Sequence, residues 1–178
     1  MSGSTTDSNA DFCAPSSCSW VDDFDFLAPG CVWDSPDSVA AVDYVHAIIR
    51  KEINRGVKAE RIFVAGHSQG GILATLAVPK FSDAALGGIL MCSSICPHDV
   101  GTFVDAAQKD LKVHAMHSPQ DAIIPYASAN ATYEPLKGGA LGTFTFREQD
   151  DNLEAKLFHD PLVAGDKPGV LAFLGLGE

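Results

Sequence analysis

Positive charge is scarce in this chain of 178 residues: 12 Lys and Arg stand against 23 Asp and Glu, a formal net charge of −11. With no basic patch to release counterions, a nucleic-acid partner is excluded, and so is an electrostatic hold on anionic lipid. No apolar run approaches the ~20 residues that a membrane helix needs. The stretch from Met1 to Asp11 has neither a basic start nor an apolar h-region, so no secretory signal is expected. Cysteine is sparse and odd in number: Cys13, Cys18, Cys31, Cys92 and Cys96. Their spacing fits no zinc template, and reduced thiols in a cytoplasmic protein are expected. There is no H-x-E-x-H pattern and no Asp/Glu/His cluster for a metal, so no metal is expected.

What is present is an ordinary globular balance, 46% hydrophobic and 20% charged, in a chain long enough for one domain with a core. Residues 1–11, rich in Ser, Thr, Asp and Asn, are expected to be disordered, and 12–178 to form a single domain. Residues 12–34 read as irregular. Ser35-Pro36-Asp37-Ser38 opens a helix with a capping serine and an early proline. Val39, Val42, Val45, Ile49 and Ile53 give it an apolar face, and Gly56 closes it. Strands are expected at 61–65, 87–93, 111–117 and 141–148. Helices are expected after residue 71 up to Pro79, over 103–109, within 127–137 where Pro135 would disturb it, and over 168–176. Strands alternating with helices indicate an α/β fold, a mainly parallel sheet covered on both faces.

The stretch that carries chemistry is Gly66-His67-Ser68-Gln69-Gly70-Gly71. It fits G-x-S-x-G, where a buried strand turns sharply into a helix and presents a serine. Small residues must flank that serine, because side chains at Gly66 or Gly70 would collide across the turn. The helix N-terminus beneath Ser68 lets the Gln69 backbone amide face a developing oxyanion.

A nucleophilic serine needs a histidine to take its proton and a carboxylate to orient that histidine. On this kind of sheet they follow in the order Ser, Asp or Glu, His. Asp121 lies just past the strand that ends at His117, where an orienting carboxylate belongs, with a plain turn aspartate as the alternative. Of the histidines His46, His67, His98, His114, His117 and His159, only His159 follows Asp121. It is the base that respects the order, and a surface loop histidine is its bland alternative. His46 reads as packed or half exposed on the first helix, while His114 and His117 read as structural strand residues.

With these residues in place the chain resembles the phospholipase/carboxylesterase family of α/β-hydrolases, the group that includes acyl-protein thioesterases. The likeness runs from about Trp33 onward. It includes Trp33-Asp34, the helix Ser38–Arg55, the G-x-S-Q-G-G elbow, Leu90 to Pro97, and an H-G-x-x-D-x-V-V-P segment that reads His117-Ser118-Pro119-Gln120-Asp121-Ala122-Ile123-Ile124-Pro125. The resemblance implies Ser68 as nucleophile, His159 as general base and Asp121 as orienting acid. The reaction is then hydrolysis of an ester or thioester through an acyl-enzyme, with no cofactor.

Two departures stand out. The family's H-G-x-G-type loop, which gives a second oxyanion amide, is absent, so an N-terminally shortened α/β-hydrolase fold is expected. Ser118 stands where the family has glycine, and the stretch from the last strand to His159 is a few residues long. The substrate expected is a small-molecule acyl ester or an acylated protein, and an exposed sheet edge would favour pairing of copies. A second reading is a weak or inactive hydrolase-like domain that binds an acyl ligand or a protein partner. Dienelactone-type or peptidase chemistry is a third. Ser68 argues against the former, since Cys is usual there, and the chain length against the latter.

Overall fold

The computed structural model describes residues 35–148 and 167–176. The expectations for residues 1–34 and for His159 lie outside them.

The first helix, α1 (Pro36–Asn54), starts where its capping chemistry starts: Ser35 Oγ accepts the Ser38 N–H at 3.2 Å, and Pro36 follows at once. Ala41, Val42, His46 and Ile49 form its buried stripe. At its end Gly56 takes φ +94°, Gly56 N–H bonds Ile53 O and Val57 N–H bonds Glu52 O. That double closure is a Schellman motif, and it needs a residue with no Cβ penalty in the left-handed region.

Four strands follow among the described residues: β1 (Phe63–His67), β2 (Gly88–Cys92), β3 (Lys112–His117) and β4 (Thr143–Glu148). They form one sheet in the order β1-β2-β3-β4, every pair parallel. Between them lie α2 (Gln69–Ala77), α3 (Tyr126–Thr132) and α4 (Glu134–Lys137), and α5 (Lys167–Phe173) comes last.

The sheet has two unlike faces. Val64, Ile89, Met91, Val113 and Ala115 point to one side, into a single core shared with α1, α2, α3 and α4. Fully buried Tyr133, just beyond α3, packs there on Phe144 and Phe146. On the other side Leu90, Cys92 and Met116 meet Val170 and Phe173 of α5, and the Phe173 ring also lies against Phe63 and His114. Helices thus cover both faces, as the alternation of elements implied. Cys92 and Cys96 are buried and pack as small hydrophobes, and burial pushes the Cys96 thiol up.

Several boundaries differ from the sequence reading, and three of the differences have a visible cause. The first strand begins at Phe63, because Ala59–Arg61 form a turn of 3-10 helix. It runs through Gly66 to His67, because the ladder with β2 continues to the pair His67↔Cys92. The expected helix at 103–109 is instead two single turns, Val100–Thr102 and Ala106–Gln108. Asp105 caps the second through the Ala107 N–H. Buried Gln108 is committed elsewhere: it donates to Phe81 O and Ala84 O and accepts from Leu86 N–H. Tertiary hydrogen bonds thus override helix propensity in this stretch. Pro135 does divide the helix at 127–137, into α3 and α4.

Candidate active site

Ser68 stands between β1 and α2 with φ +52° and ψ −124°, outside the regions ordinary residues adopt. Such a conformation costs roughly 1–3 kcal/mol and persists only where the surroundings enforce it. Here they do. Ser68 N–H bonds Cys92 O at 3.0 Å, extending the ladder one residue beyond the strand. Ser68 O accepts from Gly71 N–H at 3.0 Å and from Ser94 Oγ at 2.7 Å. Tyr133 in turn donates its hydroxyl hydrogen to Ser94 O, so a buried phenol anchors the brace.

The expected steric demand is present at Gly66, where a Cβ would lie 2.1 Å from Gly70 O; a second lies at Gly71, where a Cβ would lie 2.5 Å from Ser94 Oγ. The strand and helix therefore approach more closely than any side chain allows. α2 begins at Gln69, so that residue's N–H lies at the positive end of the helix, beside Ser68.

Asp121 lies in the loop after β3. β1, β2 and β3 run in register, with His67↔Cys92 and Cys92↔Met116 paired, so Ser68 and Asp121 both leave the sheet at its carboxyl edge. That edge is where open parallel sheets bind ligands. The Asp121 side chain is buried. Its Oδ1 accepts the N–H of Ile123 and of Ile124, both at 2.8 Å. Ser118 starts the same turn: Asp121 N–H bonds Ser118 O, and Gln120 N–H bonds Ser118 Oγ. Serine here replaces the family's glycine without harm to the loop, because its hydroxyl joins the turn.

His46, His114 and His117 are all buried. His46 meets Ala77 O at 2.7 Å. His114 meets Thr145 Oγ1 at 2.7 Å and stacks on Phe173. His117 is fully buried, with Nε2 2.9 Å from Ile124 O and 3.3 Å from Asp121 Oδ2. Sequence reasoning gave it no part in the site, although its four-residue spacing from Asp121 is a visible signal. The Ser94–Tyr133 brace was also missed, and nothing local marks it. Among the described residues no group of three or more His, Cys, Asp or Glu could hold a metal ion. No described helix is long and apolar enough to cross a membrane.

A parallel sheet with helices on both faces, a strained serine between strand and helix, and an aspartate beyond a later strand define an α/β-hydrolase fold. Solved structures agree. Carboxylesterase SOBER1 of Arabidopsis thaliana superposes with a TM-score of 0.68 at 23% identity, over 82% of this chain and 67% of that one. The Bacillus cereus carboxylesterase gives 0.62 at 16%, over 84% and 65%.

The phospholipase/carboxylesterase family model matches residues 8–150, and the chain belongs to that family. Acyl-protein thioesterase 1 of Kluyveromyces lactis is 30% identical over 109 residues, 60% of this chain and 47% of that protein. A rice protein (Oryza sativa subsp. japonica) described as a probable inactive carboxylesterase is 32% identical over 126 residues, 67% of this chain and 50% of that protein. The chain thus spans about half the length of these curated relatives.

Proposed function

We propose that the chain is a serine hydrolase that cleaves carboxylic esters or acyl-thioesters through an acyl-enzyme. Ser68 is the nucleophile, His159 the general base and Asp121 the acid that orients it. The observation that carries the reading is the backbone of Ser68: a buried network holds a serine in a costly conformation between β1 and α2. Strain of that kind is retained where a side chain must be presented, and no packing need calls for it.

Chemically, the Ser68 hydroxyl attacks the acyl carbon while the imidazole takes its proton. The tetrahedral oxyanion lies against the Gln69 amide at the start of α2. The same imidazole returns the proton to the departing alcohol or thiol, and water then repeats the sequence to release the acid. Asp121 fixes the tautomer of the imidazole and stabilises its charged form. The substrate is a small acyl ester or an acylated protein, the chemistry named for the thioesterase relatives. A reducing, cytoplasmic setting fits the buried thiols of Cys92 and Cys96.

The second reading is a domain that binds an acyl ligand or a protein and turns it over slowly or not at all. Its support is the likeness to the rice relative described as a probable inactive carboxylesterase. A fluorophosphonate probe separates the two readings, because it reports an activated serine whatever the substrate. Labelling of the wild type that disappears in Ser68→Ala is the expected result. A folded wild type that takes no label overturns the hydrolase reading in favour of the second.

A further inference from the structure

We propose that Ser94 is a positioning residue for Ser68: its hydroxyl locks the peptide plane that joins Ser68 to Gln69, and so fixes the backbone from which Ser68 is presented. This rests on the reading of Ser68 as nucleophile given above. Ser94 Oγ lies 2.7 Å from Ser68 O and 3.3 Å from Ile95 O. A hydroxyl has one hydrogen, and both oxygens are carbonyls that only accept, so the shorter contact takes it.

Ser68 O is one end of a rigid unit. The peptide after Ser68 is trans and planar, so its carbonyl oxygen and the Gln69 N–H point in opposite directions. A bond that holds the oxygen therefore holds two things together: the ψ of Ser68, at −124°, and the direction of that N–H. With φ at +52° this ψ lies outside the basins open to a residue with a Cβ, so the hold must come from the surroundings. The first turn of α2 supplies one bond, from Gly71 N–H at 3.0 Å. Ser94, just beyond β2, supplies the other from outside the elbow.

The place of Ser94 is built around its hydroxyl. The residue is fully buried. An alanine there would be spared the desolvation cost of an O–H. Gly71 makes room for it, since a Cβ on Gly71 would lie 2.5 Å from Ser94 Oγ and 2.6 Å from Ser94 Cβ. The backbone of Ser94 is fastened in turn to α3. The Tyr133 hydroxyl donates to Ser94 O, and Cys96 N–H donates to Thr132 Oγ1 at 3.0 Å. Thr132 ends α3, Tyr133 follows it, and α3 itself starts at Tyr126, directly after the loop that carries Asp121. Contacts thus run from the elbow through Ser94 to the helix behind the acid loop.

The test is the rate of fluorophosphonate labelling, measured against probe concentration so that the maximal rate and the half-saturating concentration are separated. Circular dichroism checks the fold of each variant. Ser94→Ala is expected to lower the maximal rate about 3- to 10-fold, the scale of one neutral hydrogen bond, with the half-saturating concentration little changed. Tyr133→Phe keeps the ring on Phe144 and Phe146 and removes only the hydroxyl. Alone it is expected to cost about two- to fourfold, and less than about 1.5-fold in a Ser94→Ala background, because it acts through Ser94. A wild-type rate in Ser94→Ala overturns the proposal. So do equal losses from Tyr133→Phe in both backgrounds, which would mean that the two residues only pack. A second readout needs no probe: the carbonyl ¹³C resonance of Ser68 is expected to move in Ser94→Ala and, less, in Tyr133→Phe. A resonance unmoved in both overturns the contact and the proposal with it. Ser68→Ala keeps the two ideas apart: label that persists there sinks the hydrolase reading itself. Ser68-dependent labelling that ignores Ser94 sinks only the role of Ser94.

Discussion

The elbow at Ser68 and the loop at Asp121 leave the same edge of the sheet, yet opposite means hold them. At the elbow the backbone is strained and the space is full. Ser68 has φ +52°, Ser93 beside it on the neighbouring strand end has φ +45°, and a Cβ at Gly66 or Gly71 has nowhere to go. In the acid loop no residue from Ser118 to Pro125 has a positive φ. Order there comes from polar side chains turned inward: the Asp121 carboxylate on two amides, the His117 ring on a carbonyl and a carboxylate. The elbow should therefore suffer from added atoms, and the acid loop from removed ones.

Adding a single methyl at the elbow has the largest expected effect. In Gly66→Ala the new Cβ meets the Gly70 carbonyl, which belongs to the backbone of α2 and cannot swing aside. The strand and helix must part, and the expected cost is at least about 3 kcal/mol, beyond ordinary overpacking. Urea denaturation measures it, and fluorophosphonate labelling should vanish with it. A change under about 1 kcal/mol would mean that the elbow is loose, and the contrast with the acid loop would fall.

Removing the Asp121 carboxylate comes next. Asp121→Ala leaves the Ile123 and Ile124 N–H groups without their acceptor and the buried His117 imidazole with Ile124 O alone, at about 1–3 kcal/mol for each buried group left unsatisfied. Asp121→Asn keeps an oxygen for the two amides, so it should lose much less stability. Its amide nitrogen or oxygen must still face His117 Nε2–H, and turnover should fall steeply, toward the ~10⁴ of a triad whose histidine is held in the wrong tautomer. Paired unfolding and rate measurements check this: a stability loss in Asn as large as in Ala would mean that the amide bonds do not hold the loop.

Ser68→Gly sharpens the comparison from the other side. Glycine accepts the φ and ψ of Ser68 without strain, which returns roughly 1–3 kcal/mol, while its extra unfolded-state freedom takes back about 0.5–1. A net gain of about 1 kcal/mol in urea denaturation is expected, together with complete loss of labelling. A Gly variant no more stable than wild type would show that Ser68 pays no strain.

How much of this was legible from the sequence follows the same division. The elbow was readable because its demands are local: G-H-S-Q-G-G between an apolar run and a helix former specifies backbone, small residues and serine together. Ser35-Pro36 and Gly56 marked both ends of α1 for the same reason, since caps act over a few residues. Chain order and placement after β3 put Asp121 at the carboxyl edge of the sheet, where the structure has it. What was missed depends on contacts distant in sequence. Ser94 reaches Ser68 across 26 residues, Tyr133 reaches Ser94 across 39, and Gln108 abandons a helix for Phe81, Ala84 and Leu86. His117 stands between, a buried histidine at a strand end whose partners lie only four and seven residues on.

The smallest expected effect comes from the outer tie of the acid loop. The Tyr126 phenol is raised from 10.0 to about 12, chiefly because it donates to Glu148, with burial and the Glu148 charge adding to it. The folded state thus favours the neutral phenol more than the unfolded state does. Its contribution to stability is complete below pH 10 and disappears as pH rises from 10 to about 12. Comparing Tyr126→Phe with wild type by urea denaturation across pH 8 to 12 should show a small constant deficit in the variant, closing through that window. The Ser68 elbow has no titrating group in its brace below that range, since burial pushes the Tyr133 phenol up further still. Labelling of Ser68 should therefore persist through the pH at which Tyr126 ionises, as long as the fold does. A deficit that stays constant to pH 12 would mean that the Tyr126–Glu148 bond does not form, and that the acid loop lacks its tie to β4.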